Sequence, residues 1–343
     1  MSKVVQLKNI KDDFLENIEK LINLSKSDIE EINNLIISKL DTDVSLIKEM
    51  ANYVVLSSGK RLRPLLTTSC ARMCNYGFKE DENLHITLAT AIEFIHTATL
   101  MHDDVLDESE LRRGKLSSNE VWGNKSSVLV GDYLFSKAFQ LMASLKSEKI
   151  LKLLSDTSVI ISEGEMLELS NDRDPTISED TYFKVIYGKT GSLFSAACEV
   201  SGIISKLKNN KNDALKAFGT NFGIAYQLVD DALDYSSSSS KFGKNRGDDF
   251  KEGKITLPII LAYLRSNKNE KQFWNRTIKN LKQNPDDLSK GIELINKYNC
   301  IEDTLSRAKH FGNIAIDSLG IFEENIYKKT LLDLVKSSLK RIK

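Results

Sequence analysis

Two short stretches of this sequence carry carboxylates in the same arrangement. Residues 103–107 read Asp-Asp-Val-Leu-Asp and residues 230–234 read Asp-Asp-Ala-Leu-Asp. Each closes an apolar run of helical periodicity, AIEFIHTATLMH before the first and FGIAYQLV before the second. A helix turns about 100° per residue, so side chains four apart lie about 40° from one another. Asp103 and Asp107 therefore share a face, as do Asp230 and Asp234, while Asp104 and Asp231 point to the flank. Stacked carboxylates are the hard oxygen donors that Mg2+ takes, a few at a time, completing its shell with water and substrate phosphates. One acidic cluster is ordinarily a solvated face. Two copies that each end an apolar stretch are not explained so, because half-burying carboxylates without a cation is costly. The spacing predicts a metal–diphosphate site, with Asp103, Asp107, Asp230 and Asp234 as the strongest ligands and Asp104 and Asp231 beside them.

Cations flank both clusters. Gly59-Lys60-Arg61-Leu62-Arg63-Pro64 sets three beside a glycine turn, and Arg112-Arg113-Gly114 follows the first cluster closely. Lys189-Thr190-Gly191 precedes a helix, and Lys244 and Lys254 follow the second cluster. Singly, each is a surface charge. Around two acidic clusters they read as diphosphate ligands, arginine binding as a planar fork and lysine as a point charge.

The elements that must hold these residues are helices almost throughout. Periodicity predicts them over 28–40, 43–56, 65–75, 84–108, 128–145, 150–169, 179–187, 193–204, 212–235 and 257–264, with two or three more from Leu288 onward. Only four prolines interrupt 343 residues, which permits long helices. No run alternates strictly enough to read as a sheet strand. Loops are short: Lys206–Asn212, Asn171–Pro175, and a five-serine run at Ser236–Ser240 to which no function attaches. None is an interdomain linker. The expectation is one all-α domain over residues 1–343, with residues 1–20 loosely attached.

Composition sets the outer bounds. Hydrophobic residues make up 41% and charged residues 28%, a soluble globular balance. Lys plus Arg equals Asp plus Glu at 48 each, so global charge draws the chain to neither nucleic acid nor an anionic membrane. Cys70, Cys74, Cys198 and Cys300 form no metal-binding pattern and read as small buried hydrophobes of a reducing cytosol. The opening MSKVVQLKNIKDDF holds no apolar core long enough for a signal peptide. Leu84–His102 carries one charge, Glu93, but runs into Asp103 and Asp104, so a buried central helix is expected there rather than a membrane span.

At these residues the sequence resembles the trans-isoprenyl diphosphate synthases, and within them the bacterial branch that makes octaprenyl diphosphate. The matching stretches are GKRLRP at 59–64, EFIHTATLMHDDVLDESELRRGK at 93–115, LVGDYLFSKAFQLM at 129–142 and EGEMLEL at 163–169. They continue with YGKTGSLF at 187–194, YQLVDDALDY at 226–235 and FGKNRGDDFKEGKITLP at 242–258. The resemblance implies an isoprenoid-synthase helical bundle around a central cavity, in which farnesyl diphosphate is extended by successive isopentenyl diphosphate units toward a quinone side chain. It implies that Lys60, Arg63, His96 and Arg113 hold isopentenyl diphosphate, and that Arg112, Lys189, Thr190, Gln227, Lys244 and Lys254 face the allylic diphosphate. Arg112, Lys189 and the six aspartates would be catalytic, with three Mg2+ ions on the bound diphosphate. It also implies a cytoplasmic homodimer, without a transmembrane segment, that touches membranes loosely to release product.

The implied reaction is ionisation of the allylic diphosphate, attack by the isopentenyl double bond, and proton loss in a cavity that keeps water from the carbocation. No side-chain nucleophile is required, so His85, His102 and His310 are left structural or on the surface. The growing chain needs a tunnel down from the first cluster. Ala98 and Thr99, one turn before Asp103, are small, which favours a long product; Phe135 and Phe139 are candidates for the tunnel floor. A farnesyl or geranylgeranyl synthase would carry a bulkier residue at 98 or 99. A terpene cyclase would not need Lys60, Arg63 and His96 for a second substrate. A non-catalytic partner subunit would not need all six aspartates.

Overall fold

The computed structural model describes residues 13–56, 59–76, 83–112, 114–236 and 247–341. Among them the chain is helical, with a single two-stranded ribbon and no sheet core. The helices are α1 (Asp13–Leu24), α2 (Lys26–Lys39), α3 (Ser45–Leu56), α4 (Leu62–Met73), α5 (Leu84–Leu106), α6 (Ser118–Trp122), α7 (Asn124–Ser144), α8 (Glu148–Ser170) and α9 (Glu179–Ile186). They continue with α10 (Ser192–Ile204), α11 (Asn209–Tyr235), α12 (Asp248–Glu252), α13 (Leu257–Arg265), α14 (Lys268–Trp274), α15 (Asp287–Lys297), α16 (Cys300–Ser318) and α17 (Ile326–Ser338). Local chemistry fixes several starts: the side chains of Ser147, Ser178 and Asn325 accept N–H bonds at the N-termini of α8, α9 and α17, and Asn267 with Glu270 forms a capping box on α14. Pro64 and Pro258 fall in the first turns of α4 and α13, where a missing N–H breaks no helical bond.

The predicted long helices stand where the periodicity set them, with ends moved by a few residues. Two expectations need correction. The segment before residue 20 is not loosely attached where it is described: α1 buries Phe14 and Leu21 completely and Ile18 to 3%, against α4 and α17. And Leu111–Arg112 pairs with Lys115–Leu116 as a short antiparallel ribbon, too brief to show alternation.

α5 is the central element. Apolar on all sides, it packs on α4, α7 and α10, and among the described residues it is the helix long and apolar enough to cross a membrane. In that apolar window 72% of the residues are buried inside the protein. α11 runs against α10 and α16. Three apolar clusters surround these two helices: one built on α5 and α7, one on α11, α13 and α16, and one on α1, α4 and α17. The bundle thus holds the ends of α5 and α11, where the aspartates lie, on a rigid frame.

Candidate active site

Both acidic clusters open on one cavity of about 720 Å3. Asp103 and Asp107 enter it from α5, and Asp230 and Asp234 from α11, as their shared faces require. Lys60, Arg63, His96, Thr99, Arg112, Lys189, Thr190, Gln227 and Lys254 line it too. Arg113 and Lys244, and all of the serine run after Ser236, lie outside the described residues.

Asp104 and Asp231, expected among the ligands, do not line this cavity; Asp231 borders an adjoining one with Lys189, Gln227, Asp230 and Lys254. Asp104 and Asp231 are each buried at the flank of their helix, 3% and 4% exposed. Arg112 grips Asp104 as a fork, with Nε 2.6 and 2.8 Å from the two carboxylate oxygens. Asp231 accepts from the Tyr182 hydroxyl at 2.5 Å and from Gln227 Nε2 at 2.8 Å, and Gln227 in turn accepts from Thr190 at 3.0 Å. Thr190 and Gln227 are thereby fixed at the cavity wall.

Lys189 and Lys254 are held by acids. Lys189 stands on a wide i→i+5 turn, Tyr187–Gly191, that lies against α8. That approach requires glycine on both sides: a Cβ on Gly164 would stand 2.9 Å from the Gly188 Cα, and one on Gly188 2.8 Å from the Gly164 Cα. It brings Lys189 Nζ to 3.0 Å from Glu165 and 2.5 Å from Glu168. Burial works against the Lys189 charge, but Glu168, Asp103 and Glu165 outweigh it and hold the ammonium well above its usual range. Lys254 bridges Asp107 at 3.2 Å and Glu252 at 2.7 Å. Arg63 Nη1 lies 3.0 Å from His96 Nε2. Arg61, between Lys60 and Arg63, takes a left-handed backbone with φ of 44°, a strained state for a non-glycine residue in this loop.

Burial pushes Asp103 up to about 6 despite Lys189, with Asp107 adding to the push, and burial takes Glu165 to about 7. Two pairs of carboxylates, one member costly to ionise alone, facing a cavity that Lys60, Arg63, Arg112, Lys189 and Lys254 also line, suit a divalent ion with phosphate. Among the described residues no three acidic, histidine or cysteine side chains converge as a self-sufficient metal cage.

Glu165 and Glu168 were missed as site residues, although their i, i+3 spacing in EGEMLEL carried the signal. Arg341, whose Nη1 reaches Asp230 at 2.6 Å across 111 residues of sequence, left none. Thr99 lines the cavity, whereas Ala98, 100° further round the helix, is fully buried in the core. Phe139 is no tunnel floor within this chain: it is 39% exposed on the outer side of α7, its ring 5.6 Å from that of half-buried Phe135. His85 is buried 3.3 Å from Asp28, and His310 is exposed.

The sequence model described as polyprenyl synthetase matches residues 44–295. The octaprenyl diphosphate synthase of Escherichia coli (strain K12) is 39% identical over 325 residues, 95% of this chain and 99% of that protein. A crystal structure of a decaprenyl diphosphate synthase from Rhodobacter capsulatus superposes with a TM-score of 0.90 at 40% identity, covering 95% of this chain and 99% of the other. A polyprenyl synthase from Caulobacter crescentus CB15, crystallised with calcium and isoprenyl diphosphate, does so at 0.89 and 40%, over 95% and 98%.

Proposed function

The chain belongs to the polyprenyl synthetase family and is a prenyltransferase, and from that premise we propose that it extends farnesyl diphosphate with isopentenyl diphosphate to octaprenyl diphosphate, a quinone side-chain precursor. The observation that carries this reading is the convergence of both aspartate pairs and two sets of cations on one cavity.

Asp103, Asp107, Asp230 and Asp234 would hold Mg2+, which would supply Lewis-acid neutralisation of the allylic diphosphate. Lys189, Lys254 and Arg112 set fixed positive charge where the C1–O bond breaks and the diphosphate takes both electrons. Arg112 spends part of its fork on Asp104 and has further N–H donors for the substrate. Lys60, Arg63 and His96 orient isopentenyl diphosphate so that its double bond attacks C1. A proton then leaves the new unit to the released diphosphate, so no side-chain base is called for. Thr99, Leu100 and Leu233 line the cavity with methyl and aliphatic surface that keeps water from C1. The small Thr99 leaves the way down α5 open to a growing chain.

A homodimer is part of the same reading. Leu129 and Phe139 on α7, and Val159, Met166 and Leu169 on α8, expose between 39% and 67% of their surface and offer a second copy an apolar face. The four cysteines are free, in keeping with a cytoplasmic setting.

The test is direct. Purified protein is given farnesyl diphosphate, labelled isopentenyl diphosphate and Mg2+, and the prenyl alcohols are resolved by length. Eight-unit products, abolished by a chelator, support the proposal. Three- or four-unit products would move it to a short-chain synthase, and no condensation would end it.

A further inference from the structure

The isopentenyl end of the cavity is closed by residues that lie beyond the matched segment 44–295. Leu15 of α1 and Arg341, just after α17, both line it. Beneath them sits Phe14, fully buried. Lys60 Nζ is 4.8 Å from the Phe14 ring centroid, and the Arg341 guanidinium carbon is 5.1 Å from the same centroid and 5.2 Å from that of Tyr226. Arg63 rests in the same way 4.8 Å from Phe194. The rings of Phe14 and Phe194 each lie 5.9 Å from Tyr226. Three cations of the cavity wall therefore lie on one continuous floor of aromatic rings.

A cation within about 6 Å of a ring centroid is drawn to the ring's negative face, more strongly as water is excluded. Mere filling of the α1 contact would need only an aliphatic side chain, as Ile18 and Leu21 provide on the same helix face. Phe14 alone on α1 supplies a π face, and it supplies it to two cations from distant parts of the sequence. Lysine carries its charge on a flexible stem with large rotamer freedom. A ring that narrows this freedom before the substrate arrives lowers the ordering cost of binding.

We propose that Phe14 is a positioning residue for the isopentenyl diphosphate subsite, its ring holding Lys60 and Arg341 toward the cavity. The inference rests on the role given above to Lys60. The allylic cations Lys189, Lys254 and Arg112 are held instead by Glu165 and Glu168, by Asp107, and by Asp104, and the floor reaches the allylic side only through the Arg341–Asp230 pair, so the effect falls first on isopentenyl diphosphate.

The test replaces Phe14 in the full chain with 4-fluoro-, 3,5-difluoro- and 3,4,5-trifluorophenylalanine, which keep the ring's shape while draining its negative face. KM for isopentenyl diphosphate rises stepwise, by about threefold to tenfold across the series. KM for farnesyl diphosphate, kcat and the thermal midpoint move by less than about twofold, twofold and 2 °C. Phe14→Leu shifts the same KM in the same direction. A flat KM across the fluorinated series, or an equal rise for both substrates, overturns the inference while the synthase reading stands. A wild-type chain that condenses nothing removes both together.

Discussion

The two carboxylate clusters have the same pattern but end their helices in different company. At the end of α5 the middle aspartate is locked by charge, Asp104 in the fork of Arg112. At the end of α11 the donors described on it are neutral: Asp231 accepts from Tyr182 and Gln227. The outer positions also differ: Asp107 pairs with Lys254, a near neighbour of the second cluster, whereas Asp230 pairs with Arg341. Four residues before the first aspartate stands Thr99 on α5 but Tyr226 on α11, and both reach the cavity. The first and last aspartates of each cluster thus line the main cavity, and the middle one is tied into the wall behind it. The turn behind the cluster is open on α5 and filled by an aromatic on α11.

The sharpest way to break this comparison is to remove one cavity carboxylate from each end. Asp103→Asn and Asp230→Asn should each lower kcat by roughly a hundredfold to a thousandfold, the usual range for losing one element of transition-state charge stabilisation. Incorporation of labelled isopentenyl diphosphate at saturating Mg2+ measures it. If one variant kept near-normal turnover, the two ends would not act as a pair.

Making α5 resemble α11 is the next test. Thr99→Tyr fills the open turn and should shift the product to shorter prenyl chains, read by chromatography of the alcohols, with condensation itself retained. Ala98→Tyr is the less clean experiment, since Ala98 is packed in the core and a large side chain there costs about 1–3 kcal/mol of overpacking. An unchanged product from Thr99→Tyr would sink the assignment of the path along α5.

The two locks should then part in a pair of milder substitutions. Asp104→Asn leaves the charged fork of Arg112 facing an amide with one acceptor, a loss of about 1.5–3 kcal/mol for a bond to a charged group, reduced because Arg112 is 31% exposed. We expect about tenfold lower kcat, since Arg112 also faces the substrate. Asp231→Asn can be absorbed: Gln227 turns its amide over, accepts from the new side-chain N–H and donates to Thr190. Its effect should stay within about threefold. Equal losses would mean that the locks do not differ in kind.

How much of this was written in the sequence depends on how far apart the partners lie. The face shared by Asp103 and Asp107, and the flank position of Asp104 and Asp231, follow from helical rotation alone and needed no structure. Arg112 was visible as a nearby cation, but its grip on Asp104 depends on a ribbon of two-residue strands with no periodicity to detect. Tyr182 is 49 residues from Asp231 and Arg341 is 111 from Asp230, so only packing joins them. α1 did carry a signal in Phe14, Ile18 and Leu21, spaced for one helix face. Acidic and polar residues crowd its first turn, however, and a 12-residue helix has little stability of its own, so only packing on α4 and α17 fixes it.

The neutral lock makes the finest prediction, because it should depend on pH in a known direction. Burial, then the charge of Asp231, hold the Tyr182 phenol well above its usual range near 10. Above about pH 10 the folded chain therefore keeps a proton that the unfolded chain has lost. The hydroxyl's contribution is fully present below that pH and fades as pH rises toward the folded value. Tyr182→Phe should cost about 1–2 kcal/mol at about pH 8, with kcat changed less than about threefold, since Gln227 still holds Asp231. Tyr226 and Tyr235 are also shifted upward, but they are common to both proteins and cancel in the difference. The gap between wild-type and variant urea midpoints should therefore narrow from about pH 9 to about pH 11. A gap that stayed constant would show that Tyr182 loses its proton in the folded chain no later than in the unfolded one, and its neutral hydroxyl would then not be what holds Asp231.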